Sequence, residues 1–304
     1  MGAGSHVDLL TERNFTPLHI AAAIGAVDSI KILLESGADI NALTKSDETP
    51  LHRAARAKNE IGALMLVEAG SEVNFVSVYG TIPLHNAARV GSAKTIKILL
   101  EAGSEIDVNN DFDETPSYLA VKSGSSENLD ILLSAGAKIN TFHDEGLTPL
   151  HKAASQGAVK KIKLLIAAGA NINSIGKTRL EYTPLHHASK FSTNPEAVIL
   201  LIDAGASTSA ETNFGKTALD LIKNNYSLKN TDAFWKLNDI TLNNKHKPKL
   251  RSKKIFETEK DPTAESILES LKEKKEPETC LKLLPTQNER LLDIIRNKMK
   301  PCWN

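Results

Sequence analysis

The sequence predicts an all-α solenoid: helix pairs joined by β-hairpin fingers, followed by a short helical tail. Three observations predict it. A Thr-Pro-Leu-His quartet begins at Thr16, Thr49, Thr148 and Thr183, and variants of it begin at Ile82, Thr115 and Thr217. The steps between these starts are 33, 33, 33, 33, 35 and 34 residues. A second marker runs in phase: Gly37-Ala-Asp, Gly70-Ser-Glu, Gly103-Ser-Glu, Gly136-Ala-Lys, Gly169-Ala-Asn and Gly205-Ala-Ser. Between the markers, apolar residues recur at helical spacing, as in Ile30/Leu33/Leu34, Ile96/Leu99/Leu100 and Ile162/Leu165/Ile166. A fixed period of this length is the signature of stacked supersecondary units.

Each unit can be read element by element. Thr16 can cap the first helix, because its hydroxyl accepts from a free backbone N–H. Pro17 suits the first helical position, where no N–H is needed. Leu18, Ala21 and Ala22 give a short helix whose small residues let a neighbour approach closely. Gly25 can end it in a left-handed conformation. Residues 27–36 form the second helix, and Gly37 ends that one. The stretch ADINALTKSDE then runs as an extended finger to Thr49. One unit cannot bury its own apolar face, whereas stacked units can.

This pattern resembles the ankyrin repeat family over residues 9–225. The resemblance implies an ankyrin-type α-solenoid of L-shaped units, each a β-hairpin finger plus two antiparallel helices. Seven repeats are counted, the last a degenerate cap that lacks the His. Residues 232–239, with Phe234 and Trp235, are expected to close the stack. The expected organisation is an N-terminal extension (1–8), the repeat solenoid (9–241), a basic linker (242–260) and a helical tail (261–304).

His19, His52, His85, His151 and His186 share one repeat position. By the resemblance, this imidazole bridges the backbone and the Thr hydroxyl of its own and adjoining units. Catalysis needs a single constellation of different groups, not one His per repeat, so these are read as structural pegs. Repeat four carries Tyr118 in place of His and Ser117 in place of Leu, and its first helix is expected to be locally weaker.

Composition narrows the function classes. Lys+Arg and Asp+Glu are both 37, so no global field gathers nucleic acid or anionic membrane. The two Cys, Cys280 and Cys302, form no CxxC pair, which fits a reducing compartment. The N-terminus lacks an apolar signal region, and residues 2–6, GAGSH, have the look of a cloning remnant. His6 stands where a myristoylation motif wants Ser or Thr. Signatures of nucleotide, serine-hydrolase and zinc-protease sites are missing, and no metal-spaced cluster occurs. The expectation is a non-catalytic, cytoplasmic, monomeric protein without cofactor, nucleic acid or membrane partner.

In a solenoid, positions not fixed by stacking are free for recognition. The resemblance places partners on the concave face, built from finger tips and the exposed side of each first helix. Phase assigns the exposed pairs Ala23/Ile24, Arg56/Ala57, Arg89/Val90, Lys122/Ser123, Ser155/Gln156 and Lys190/Phe191. Arg56, Arg89 and Lys122 are 33 apart and form an expected basic ladder, whose joint reversal to Glu should spare the fold. On the fingers, Val78, Tyr79, Phe112, Phe142 and Tyr182 are expected partner anchors, because exposed aromatics are favoured at interfaces. Together they suggest an extended or helical peptide gripped across repeats two to five. Repeat six has two extra finger residues, with Lys177 and Arg179, and one extra residue in its inter-helix loop, where Asn194 and Pro195 read as cap and first position.

The tail differs in composition. Residues 245–254 hold six Lys/Arg and read as a solvated linker or an import patch. Amphipathic helices are expected from Asp261 and from the capping box Thr286-x-x-Glu289. The segment LLPTQNERLLDII resembles the start of F-box-like tails, which implies an alternative: a ubiquitin-ligase substrate adaptor with a second partner on the tail. The Lys/Asn/Ile-rich tail would suit a bacterial effector in a host cell as well as a eukaryotic regulator. The first reading is a protein-binding scaffold or adaptor.

Overall fold

The structure is a computed structural model that describes residues 7–143 and 146–246. The tail expectations beyond His246, and Asp144 and Glu145 of the fifth finger, lie outside the described residues.

Fourteen helices follow one another among the described residues. Repeats one to three contribute α1 (Pro17–Ile24), α2 (Val27–Glu35), α3 (Pro50–Arg56), α4 (Glu60–Glu68), α5 (Pro83–Val90) and α6 (Ala93–Glu101). Repeats four to six contribute α7 (Pro116–Lys122), α8 (Ser126–Ser134), α9 (Pro149–Ser155), α10 (Val159–Ala167), α11 (Pro184–Phe191) and α12 (Pro195–Asp203). Repeat seven contributes α13 (Ala218–Ile222) and α14 (Asp232–His246).

The start signals act as the sequence predicts. Thr16 Oγ1 accepts from the His19 N–H at 3.3 Å, and Pro17 opens α1. Gly25 (φ 76°) ends α1 in the left-handed region that a Cβ disfavours. In repeat six, Asn194 caps α12 by accepting from the Glu196 N–H at 3.0 Å, with Pro195 at the first position. Leu18, Leu51, Leu84, Leu150 and Leu185 of the first helices are buried with Ile30, Leu66, Ile96, Leu99, Leu129, Leu132, Ile162 and Leu165 of the second. The Ala pairs 21/22, 54/55, 87/88 and 153/154 are buried too, and allow the first helices to stack closely.

The fingers differ from expectation. None forms a β-strand among the described residues. Each limb pair is closed by a main-chain bond such as Thr44 N–H to Glu48 O (3.1 Å) or Ser77 N–H to Thr81 O (2.9 Å). Only three residues lie between those partners, which leaves no room for a ladder. The fingers instead bond sideways: the Val78 N–H donates to Ser46 O, and the Asp111 N–H to Tyr79 O.

The five repeat His side chains are buried pegs. In four of them Nδ1 accepts from the Thr backbone N–H and contacts the Thr hydroxyl, as at Thr16–His19 (3.2 and 2.9 Å). At His85 the donor is the Ile82 N–H (3.1 Å). Since Nδ1 accepts, Nε2 carries the proton and donates to the next finger. His19 reaches Glu48 O, His52 Thr81 O, His85 Val108 O and Glu114 O, His151 Tyr182 O, and His186 Ala210 O, all at 2.9–3.2 Å. Burial lowers the pKa of all five, and brings His85 and His151 down to about 4. In repeat seven Asp220 takes the His place and accepts from both the Thr217 N–H and its hydroxyl.

Repeat four keeps an intact, buried first helix despite Tyr118. A contact from the following finger ties this repeat to the next. His143, on the fifth finger, stacks on Tyr118 (centroids 3.9 Å apart, planes 26°), and its Nδ1–H donates to Asp113 O at 2.6 Å. Replacing His143 with Ala is expected to cost about 1–3 kcal/mol, the loss of a buried bond that leaves a carbonyl unpaired. Amide exchange should accelerate first in α7 and the finger before α9. Uniform protection across repeats four and five would contradict this tie.

The closing helix α14 runs to His246, well past residue 239. Ala233 and Leu237 are buried and Phe234 packs against the core, while Trp235 stays half exposed.

Candidate partner-binding surface

The L shape of each unit sets the site. The last turn of a first helix faces the return limb of its own finger, and side chains eight residues apart meet across the corner. Arg56 pairs with Glu48, and Lys122 Nζ lies 2.6 Å from Glu114 Oε1. Lys190 Nζ donates to the Tyr182 hydroxyl at 3.0 Å. Arg53 adds a second cation to Glu48 at 3.6 Å. Finger and helix end therefore line one face, as expected, but the basic ladder is not three equal rungs.

Arg56 and Lys122 spend their charge inside their own repeats, on carboxylates that are largely buried. Arg89 is exposed and has no ion pair among the described residues, because Thr81 stands where Glu48 and Glu114 stand. Reversing all three to Glu would set like charges against Glu48 and Glu114, and leaving a buried carboxylate unpaired is strongly destabilising. The triple reversal is thus expected to harm folding, whereas Arg89 alone can be changed without that penalty.

The five expected finger anchors also divide. Val78, Tyr79 (56% exposed) and Phe112 (53%) project into solvent. Tyr79 and Phe112 occupy equivalent tips of neighbouring fingers, joined by the Asp111 N–H bond to Tyr79 O at 3.2 Å. Phe142 is half-buried under the Lys177 ammonium, 4.2 Å from its ring centroid. Tyr182 is buried at 4% exposure, between His186, His187 and Phe191. Tyr182 is therefore not a projecting anchor: it fills the corner of repeat six, and its hydroxyl serves Lys190. Val90, Phe191, Leu43 and Val76 are exposed on the same run of helix ends and fingers.

The extra residues of repeat six are absorbed by neighbours. The Lys177 N–H donates to Gly146 O at 2.8 Å, and Asn213 holds Leu180 O and Arg179 O from the following finger. The Asn194 side-chain amide reaches back to Gly157 O.

Two sets of framework residues escaped the sequence reading. Asp8, Asn41, Asn74, Asp107, Asn140 and Asn173 recur every 33 residues, and each accepts from a backbone N–H of the next repeat (2.8–3.3 Å). Their period was a visible signal. Asn59, Asn128, Lys161 and Asn225 clamp the carbonyls at the end of the preceding repeat's first helix. They share no single phase or residue type, so no signal marked them. Among the described residues, no group of three or more His, Cys, Asp or Glu can hold a metal ion, and no helix is long and apolar enough to cross a membrane.

Stacked helix pairs, in-phase His pegs and an open face of helix ends and fingers define a repeat solenoid. The chain belongs to the ankyrin repeat family: the description "Ankyrin repeats (3 copies)" matches residues 1–77, 63–143, 84–176 and 141–212. It is similar to the crystal structure of the human ASB11 ankyrin repeat domain, at 33% identity and a TM-score of 0.65 over 74% of this chain and 97% of that one. It is also similar to the ankyrin repeat domain of Bcl-3, described as a unique member of the IkappaB protein family. That match has 24% identity and a TM-score of 0.58, covers 69% of this chain and 95% of that one, and speaks for the fold alone. No curated protein matches the chain. Ankyrin repeats generally mediate protein–protein interaction and are typically non-catalytic.

Proposed function

We propose that this protein is a non-catalytic scaffold that holds a partner protein on the face formed by fingers three and four and the ends of α5 and α7. The observation that carries the reading is the adjacent pair Tyr79 and Phe112, each more than half exposed on fingers bonded to one another. Large exposed aromatics on a rigid frame bury much area at little entropic cost, which suits them as anchors. Val78 and Val90 of repeat three are exposed too, and Arg89, beside Val90 in sequence, is exposed with no ion pair among the described residues.

The test is a double substitution, Tyr79→Ala with Phe112→Ala, used as bait beside the unaltered chain. Both side chains touch solvent, so the thermal unfolding midpoint should stay within a few degrees. Captured proteins, identified by mass spectrometry, should include at least one whose yield falls tenfold or more on the double variant. Identical captured sets on the two baits would remove this face from the function.

A further inference from the structure

We propose that repeat three carries a carboxylate-binding position, filled by an Asp or Glu side chain of the partner. The proposal deepens the partner-binding reading above and rests on it. The solenoid supplies its own control, because each repeat places the same phases in the same geometry.

In repeat two, the two helix residues facing the finger corner are Arg53 and Arg56, and both hold Glu48. In repeat four, the corresponding cation is Lys122 and it holds Glu114. In repeat three, the same phases are Asn86 and Arg89 on α5, three residues apart and so neighbours on the helix surface. The finger residue at this corner is Thr81, whose hydroxyl bonds Ser77 Oγ at 2.7 Å instead. Arg89 is left without an ion pair among the described residues. Asn86 is 2% exposed, and its amide nitrogen has no hydrogen-bond partner. A buried donor left unpaired costs free energy; the Asn86 nitrogen is closed to solvent in the free chain, so a carboxylate meets the exposed Arg89 first and gains Asn86 only when that side chain turns toward it.

The sister repeats name the missing group: a carboxylate. Tyr79, Val78 and Val90 of the same repeat are exposed apolar residues. The fitting ligand is therefore a peptide with one acidic side chain beside an apolar or aromatic one. Only one of the three ladder cations is open to it, so a single fixed acidic residue is expected rather than a row of them.

The experiment pans a library of random dodecapeptides, displayed without free C-termini, on the full chain and on Thr81→Glu, Arg89→Gln and Tyr79→Ala/Phe112→Ala variants. Thr81→Glu rebuilds the internal carboxylate of repeats two and four, and Arg89→Gln removes an exposed charge. Peptides enriched on the unaltered chain should share one fixed Asp or Glu. Their binding should fall at least tenfold on Thr81→Glu and on Arg89→Gln, and when the acidic residue is changed to its amide. If Thr81→Glu unfolds, Arg89→Gln carries the test alone. Peptides that need Tyr79 and Phe112 but have no fixed acidic residue would overturn the carboxylate position and leave the partner-binding reading standing. Peptides indifferent to every variant would overturn both, and a library yielding no binder counts against the position. Enrichment only when free C-termini are displayed would move the carboxylate to a chain end and overturn the side-chain assignment.

Discussion

Acidification from pH 7 to pH 5 is expected to destabilise the repeat stack by several kcal/mol through its buried histidines. Burial holds His85 and His151 at about 4 and His187 at about 3, against an ordinary value near 6.5. Their folded pKa values are depressed, so the unfolded chain binds protons that the native chain refuses. Stability from this source is fully present above about pH 6.5 and is lost as the pH falls toward 4. At pH 5 the linkage amounts to about 2 kcal/mol for each of these three groups. His19, His52, His143 and His186 shift in the same direction for the same cause. Protonating Nδ1 of a peg would also break its bond from the Thr or Ile backbone N–H. The measurement is the urea midpoint at pH 7, 6, 5 and 4. A midpoint that holds steady to pH 5 would refute it. Replacing His85 with Gln should lower stability at pH 7 and flatten the slope between pH 6.5 and 4.

Replacing Leu99 with Ala should cost about 2–5 kcal/mol, the range for a Leu truncated inside a packed core. Leu99 lies on α6, wholly buried, in the third of seven repeats. It has repeats on both sides, so the cavity cannot relax toward solvent. Stability in a solenoid is close to a sum of repeat and nearest-neighbour terms, so the loss should appear first in repeats two to four. Urea unfolding gives the magnitude, and amide exchange gives the place. A loss below about 1 kcal/mol would contradict the burial.

Much of the fold was legible because stacking forces every unit to carry the same framework. Thr16, Pro17, Leu18 and His19 recur because each must cap, start, bury and bridge in the same way. The 33-residue step and the positive-φ Gly37 position mark unit ends for the same reason. The fingers were less legible. Their limbs pattern like hairpins, yet three intervening residues permit a turn and no ladder.

The candidate surface was half legible. Phase alone located the helix ends and finger tips, and Arg89, Val78, Tyr79 and Phe112 are exposed where phase put them. It could not tell which positions the protein uses on itself. Arg56 and Lys122 look identical to Arg89 along a 33-residue ruler. Only the folded corner shows that residues eight apart touch, and then Glu48, Glu114 and Thr81 decide the charge of each rung. Tyr182 and Phe142 are likewise absorbed by contacts with residues 4–35 positions away.

By itself, then, the sequence determined the architecture, the repeat count and the structural role of the five His, since each follows from local chemistry repeated in register. The tertiary structure decided which free positions remain free. That depends on what each side chain meets across a corner or from the next repeat, and a one-dimensional period records spacing but not occupancy.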